Sequence, residues 1–313
     1  MNSDADASRA DTTDTGVTDA DEPAASADAG ASEEYGTLYV VGIGPGLPDH
    51  MTKRAKQVIE GADCVIASNL YQKFLREDGT LPPAEAVDDD GFVTRDGGDH
   101  RDGHEQQIVR SSMGRQIELA REAFERVRAG EDVVHVSGGD PSVYGKSDLL
   151  FLMAEEEAAT DVPIEIVPGV TAALGGAAMV GAPLCNDFCA VSLSEKWRGW
   201  DEIEEKLRAA AGSDFVIVLY NCWRNYQKAV EIVREERIDD AYVAIINDAG
   251  RGDTGRTGES HFVTTLGDAV SHDEKVSGMG TSLIIGTHET TTWSNDDRTY
   301  LVTPRGGRDV EDF

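Results

Sequence analysis

Cysteine is scarce in this 313-residue chain: it holds four, Cys64, Cys185, Cys189 and Cys222, and no two stand in CxxC spacing. Neither a disulfide framework nor a zinc module is expected, and no metal site is assigned. The Cys185-x3-Cys189 pair reads as small packed thiols in preference to metal ligands. Long apolar runs are missing too. Nothing approaches the roughly 20 residues that cross a bilayer, and the chain begins with acids and alanines instead of a basic stretch followed by an apolar one. A soluble, cytoplasmic protein is expected. Bases are the third shortage: 28 Lys+Arg face 59 Asp+Glu, for a net charge of −31, and only eight of the bases are lysine. Such a surface repels phosphates and anionic lipids, which excludes nucleic acid and membranes as expected partners. Residues 1–35 carry ten acids and one arginine, and 49 acids against 27 bases remain beyond them, so the acidity belongs to the body as well. Solubility in strong salt, where the Debye length falls to about 3 Å at 1 M, explains that excess and points to a halophile.

What the chain does contain is alternation. Residues 1–35 are poor in large apolar side chains and read as a disordered acidic tail. From residue 36, short apolar runs alternate with amphipathic stretches, the pattern of an α/β fold. Two α/β domains with an active-site cleft between them are expected, 36–160 and 161–295, followed by a C-terminal tail at 296–313. Strands are read at LYVVGI, DCVIA, VVHVS, IEIV, FCAVSL, FVIVLYN, YVAIIN and TSLIIG, and Thr52 caps a helix that runs to about Gly61. Ile117, Ala120, Phe124 and Val127 mark a buried helix face that Gly130 ends. Residues 85–105 hold eight acids and read as a surface insertion. Their His100-x3-His104 pair has metal-ligand spacing, but flanking Gly and Asp favour an ordinary exposed loop.

Three glycine/proline signatures stand at strand ends. Gly42-Ile43-Gly44-Pro45-Gly46 lies between a first strand and a helix, where open parallel sheets bind ligands. It lacks the third glycine of a dinucleotide fingerprint, Leu47 standing there, and no Gly-Lys-Ser/Thr follows as in a phosphate loop. Alone it is equally a tight structural turn. Gly138-Gly139-Asp140-Pro141-Ser142-Val143-Tyr144-Gly145 bares the backbone with two glycines and offers a carboxylate that either meets a ligand or caps a helix starting near Pro141. Pro168-Gly169-Val170-Thr171-Ala172-Ala173 leads into a helix of small residues that admits either a flat ligand or a close-packed backbone.

Taken together, GIGPG, GGDPSVYG and PGVTAA resemble the corrin/porphyrin (tetrapyrrole) methyltransferase family, over about Gly36 to Trp293. SSMGRQIELAREA, GAPLCNDFCAVSLSE, VLYN, INDAGR and VSGMGTSLIIG are similar to its precorrin-3B C17-methyltransferase branch. The resemblance implies a homodimer of two-domain subunits that binds S-adenosyl-L-methionine between the domains. Pro45, Gly138, Gly139, Asp140, Val143, Thr171 and Ala172 would contact that cofactor, with Tyr220 and Gly250 near two further contact positions. The implied reaction is methyl transfer to C17 of a corrinoid tetrapyrrole, with or without cobalt, with ring contraction, in cobalamin biosynthesis. Uroporphyrinogen-type members carry an aspartate after the second strand. Here Ser68 stands in its place, as the candidate catalytic residue.

A polyanionic tetrapyrrole needs local positive charge, and Arg115, Lys146, Lys196, Arg198 and Arg251 sit beside the motifs as candidates for substrate binding. LYNCWRNYQ departs from the branch after YN, so Cys222 and Trp223 are read either as substrate-gripping or as packing residues. Methylation at another ring position, C11 or C20, and a diphthine-type methyltransferase are the alternatives of the same fold. A nucleotide-dependent oxidoreductase and a non-catalytic binding module are those of a different class.

Overall fold

In the computed structural model, residues 35–83, 96–99, 105–252, 258–295 and 297–306 are described. The expected acidic tail and the His100/His104 pair lie outside them. The chain runs β1 (Leu38–Gly42), α1 (Lys53–Gly61), β2 (Cys64–Ala67), α2 (Asn69–Glu77), β3 (Asp96–Asp99), β4 (Glu105–Arg110), α3 (Gln116–Arg128), β5 (Val133–Ser137), α4 (Ser147–Glu156) and β6 (Ile164–Val167). It continues as α5 (Ala172–Val180), β7 (Gly181–Ala182), β8 (Phe188–Ser192), α6 (Trp200–Gly212), β9 (Val216–Tyr220), α7 (Tyr226–Arg234), β10 (Tyr242–Asn247), β11 (Ser260–Thr265), β12 (Thr281–Ile285), β13 (Thr291–Ser294) and β14 (Thr299–Val302).

The first sheet has the order β3-β4-β2-β5-β1-β6, parallel throughout except for the edge strand β3, which pairs antiparallel with β4. Its strands read as near-continuous apolar runs because both faces are covered. Val133 packs on the face that includes Phe124 and Leu150, while Val134 and Val136 turn to the face with Ile59 and Leu75. The second sheet, β11-β10-β12-β9-β8, is mixed, with only β8 and β9 parallel. Ile217 and Leu219 face the α6 and α7 layer, and Val216 and Val218 face α5. A small third sheet joins β13, β14 and β7.

Local chemistry sets the helix starts. Thr52 takes extended backbone angles and its hydroxyl accepts from Ala55 N at 3.1 Å, so α1 begins where the capping residue was read. The buried stripe of α3 is Leu119, Ala120, Ala123, Phe124 and Val127, whereas Ile117, expected on it, is 51% exposed. At 100° per residue, Ile117 lies about 90° from the centre of that stripe. Two boundaries also move. IEIV, allotted to the second domain, pairs in parallel with β1 and so extends the first sheet to Val167. Residues 299–302, expected in a tail, form β14, whose Leu301 is fully buried beside α5.

His135 stands in the middle of β5, opposite Val40 of β1 and Ile66 of β2, with 2% exposure and no hydrogen-bond partner for Nδ1 among the described residues. Burial, helped by the Lys146 ammonium, lowers its pKa from 6.5 to about 3. The unfolded chain therefore binds a proton that the folded chain refuses across that window. The stability tied to a neutral His135 is complete above pH 6.5 and is lost, by a few kcal/mol, as pH falls towards 3. His135→Leu is expected to flatten the acid limb of a urea-unfolding series between pH 6.5 and 4. An unchanged limb would assign the slope to carboxylates alone.

Candidate active site at the sheet edge

Four loops meet at the C-terminal edge of the first sheet, and glycine lets their backbones touch. Gly44 and Gly139 exchange two backbone hydrogen bonds, at 3.2 and 2.7 Å, stitching the loop after β1 to the loop after β5. Gly169, in the loop after β6, comes so close that a Cβ added there would stand 2.2 Å from Gly139 O. Asp140 then locks the second loop to the third: Oδ2 accepts from Gly169 N at 3.0 Å and Oδ1 from Ser142 N at 2.8 Å. Gly139 itself has φ +70°, a left-handed conformation that a side chain would strain. The fourth loop follows β2, where α2 starts: a Cβ on Gly138 would stand 2.3 Å from the Tyr71 hydroxyl oxygen.

The second sheet is tied to this edge by named contacts. Tyr220, the last residue of β9, shares a 2.6 Å hydrogen bond with Thr171 Oγ1 and accepts from Ala173 N at 2.7 Å, so a phenol caps α5. Burial raises the Tyr220 pKa, opposed by those two hydrogen bonds. Tyr144 lies 5.0 Å from Tyr220, ring centroid to centroid, and donates to Ala190 O of β8 at 2.9 Å. It does so at φ +52°, an unfavourable angle for a tyrosine, and its side chain stays 48% exposed. Leu47 N donates to Gly250 O at 2.6 Å, and Arg251 Nε to Pro45 O at 3.0 Å.

The expected cofactor residues divide into two groups. Gly138, Gly139, Asp140, Val143, Thr171, Ala172 and Tyr220 are gathered at the edge and partly exposed. Pro45 and Gly250 are buried against each other, a Cβ on Gly250 standing 2.4 Å from Pro45 Cγ. Ser68 is the N-cap of α2, its hydroxyl accepting from Tyr71 N at 3.4 Å. Among the expected substrate cations, Arg115 is clamped twice by Glu118 in the first turn of α3, which it precedes, at 3.0 and 2.6 Å. Arg198 donates to Ser192 O, and Arg251 pairs with the buried Asp248 at 2.8 Å. Lys196 lies over the Trp197 ring at 4.6 Å, and Lys146 donates to Ser111 Oγ at 3.2 Å. Cys222 is fully buried, donates to Thr281 O, and has its pKa raised to about 12 by burial: it is a packing residue.

A model of the family described as tetrapyrrole (corrin/porphyrin) methylases matches residues 37–269. The chain belongs to the tetrapyrrole methylases. It is 35% identical over 278 residues to a precorrin-3B C(17)-methyltransferase of Sinorhizobium sp., covering 86% of this chain and 96% of the relative. It is 30% identical over 279 residues to the cobalt-factor III methyltransferase of Priestia megaterium, covering 87% of this chain but 45% of that longer protein. Among solved structures it is similar to the methyltransferase CobJ, with a TM-score of 0.69, 26% identity, and coverage of 86% of this chain and 100% of that one.

Within this tetrapyrrole methylase the sequence reading missed the α2 contribution. Asn69 and Tyr71 lie at the edge, and Asn69 Oδ1 is buried without a hydrogen-bond partner among the described residues. Tyr144 stands within GGDPSVYG, where its signal is an aromatic in a Gly-flanked loop whose backbone is otherwise bare. The Tyr220 hydroxyl is occupied by two α5 groups, so Tyr220→Phe is expected to cost about 1 kcal/mol of stability. It should also loosen the start of α5 and weaken S-adenosylhomocysteine binding severalfold in calorimetry. Equal affinity would confine the hydroxyl to packing.

Proposed function

We propose that this tetrapyrrole methylase transfers a methyl group from S-adenosyl-L-methionine to C17 of a cobalt-factor III or precorrin-3 type macrocycle, with ring contraction, in cobalamin biosynthesis. The observation that carries the reading is the convergence of GIGPG, GGDPSVYG and PGVTA on one sheet edge, in a chain whose Sinorhizobium relative matches over 96% of its length and bears the C(17) name. The same reading takes the two sheets as two domains and the enzyme as a cytoplasmic homodimer of a halophile.

The residues present fit the cofactor. Gly138 and Gly139 leave bare backbone, Val143, Thr171 and Ala172 remain partly exposed beside them, and the Tyr144 and Tyr220 rings form an aromatic wall. A Cβ on Gly139 would stand in ordinary contact with Thr171 and Ala172, at 3.6 Å and beyond, so the loop after β5 and the start of α5 lie side by side. S-adenosyl-L-methionine, when bound, supplies a sulfonium methyl that is already a strong electrophile. The protein therefore needs no covalent nucleophile, and its residues act by positioning and by excluding water. Asp140 holds two loops at a fixed separation. Tyr220 holds the start of α5, leaving its ring as the contact surface. Ser68, engaged in capping, is proposed to hydrogen-bond substrate without serving as a base.

Incubation with cobalt-factor III and methyl-labelled S-adenosyl-L-methionine should add one methyl by mass, located at C17 by NMR. A label at C11 or C20 would move the chain to a sibling reaction, and a methylated histidine adduct of a protein would overturn the reading. S-adenosylhomocysteine should raise Tm where NAD does not, and the reverse result would assign the chain to nucleotide chemistry.

A further inference from the structure

Lys146 differs from Arg115 and Arg251 among the candidate cations in what it lacks. It stands just before α4, partly buried, and its ammonium has one hydrogen-bond partner among the described residues, Ser111 Oγ at 3.2 Å. No carboxylate of the described residues pairs with it, in a chain of 59 acids. Arg115, Arg126, Arg208, Arg234 and Arg251, by contrast, each hold a carboxylate within 3.2 Å. Ser111 follows β4 and Lys146 follows β5, while β2 lies between those strands in the sheet. The lysine side chain thus reaches across the end of β2, where Ser68 and Asn69 open α2. From the strand below, His135 faces it as a buried neutral imidazole with Nδ1 unpartnered, offering no charge in return.

Desolvating an ammonium without a counter-ion is costly, and removing such a charge from a fold generally stabilises it. Burial lowers the Lys146 pKa, in keeping with an ammonium short of compensation. Lys196, Lys228 and Lys275 hold no carboxylate among the described residues either, but they lie over the Trp197, Trp200 and Phe262 rings, and Lys146 has no such ring contact among those residues. An anion arriving with a ligand would supply the compensation that the described residues do not.

We propose that Lys146, steadied by Ser111, is the anchor for one peripheral carboxylate of the tetrapyrrole, the ion pair being completed only when substrate binds. This rests on the methyltransferase reading above and selects, from the three candidate cations that hold no carboxylate among the described residues, Lys146, Lys196 and Arg198, the one with neither an aromatic ring nor a backbone carbonyl against its charge. Lys146 is thereby a specificity residue: it would set which acid-bearing edge of the macrocycle enters beside β2 and so which carbon is presented.

The test uses the full chain and three variants, Lys146→Met, Lys146→Arg and Ser111→Ala. Affinity for uroporphyrin III is read from absorbance titration, affinity for S-adenosylhomocysteine from calorimetry, and Tm from melts without ligand. Lys146→Met is expected to weaken porphyrin binding about tenfold to a hundredfold, the range for a hydrogen bond to a charged group. Lys146→Arg should stay within severalfold of the parent, and Ser111→Ala should fall between. S-adenosylhomocysteine affinity should be unchanged in all three, and Tm of Lys146→Met equal to or above the parent. Unaltered porphyrin affinity in Lys146→Met, or a fall in its Tm of several degrees, would overturn the anchor while leaving the methyltransferase reading intact. A parent chain that binds neither porphyrin nor S-adenosylhomocysteine would overturn both.

Discussion

Gly169→Ala is expected to lower stability by about 3 kcal/mol, the upper range for forcing atoms into a filled site, and to lower Tm by roughly 10 °C. The added methyl would stand 2.2 Å from Gly139 O and 2.8 Å from Gly42 C, and both atoms belong to backbones that hydrogen bonds hold in place. Neither neighbour can rotate away as a side chain would. Gly139→Ala is the informative control. Its methyl meets nothing nearer than 3.6 Å, so only the φ of +70° opposes it, a cost of about 1–2 kcal/mol. Thermal melts of the two variants should therefore separate by several degrees. Equal melting would mean that the loops can part at little cost, and that the three motifs are not the rigid unit described above. Any stable Gly169→Ala protein should also bind S-adenosylhomocysteine far more weakly, because the Asp140 latch closes on Gly169 N itself.

The second large effect is expected from Asp140→Ala. Two amides, Ser142 N and Gly169 N, lose their acceptor together. Water can replace it for the exposed Ser142, but Gly169 N is partly buried, and leaving such a donor unsatisfied costs about 1–3 kcal/mol. Methyl-transfer rate should fall about a hundredfold, since small displacements of positioning groups carry penalties of that order. Asp140→Asn retains one acceptor oxygen and should lose less of both. A Michaelis analysis distinguishes a positioning role, which lowers kcat and weakens the cofactor together, from a purely structural one, in which the folded fraction of Asp140→Ala turns over at the parental rate. Parental turnover by that fraction would refute the positioning role.

Much of this could be read from the one-dimensional pattern. Thr52 is followed by an amphipathic run and does cap α1; the apolar runs at residues 38–43 and 216–220 are buried strands. Short-range chemistry decides such features, because a cap or an alternating face depends on residues within one or two turns. The reading failed where burial depended on distant partners. Leu301 looks like part of a polar tail until β14 pairs with β13 and β7. IEIV carries no mark that assigns it to the first sheet, because strand pairing with β1 joins residues more than 120 positions apart.

The glycine/proline signatures show the same division. Their order and spacing were enough to place the chain among the tetrapyrrole methylases, since a backbone that must bend and bare itself at three strand ends constrains residue types wherever the fold recurs. Their individual duties were not legible. Asp140 has the same letters around it whether it meets a ligand or latches a loop, and only the approach of Gly169 makes it a latch. Five cations near motifs looked equivalent in sequence. The structure gives Arg115 and Arg251 carboxylates, Arg198 a backbone carbonyl and Lys196 an aromatic ring, and among the described residues leaves Lys146 with a lone hydroxyl, because charge compensation is settled by which groups meet in space.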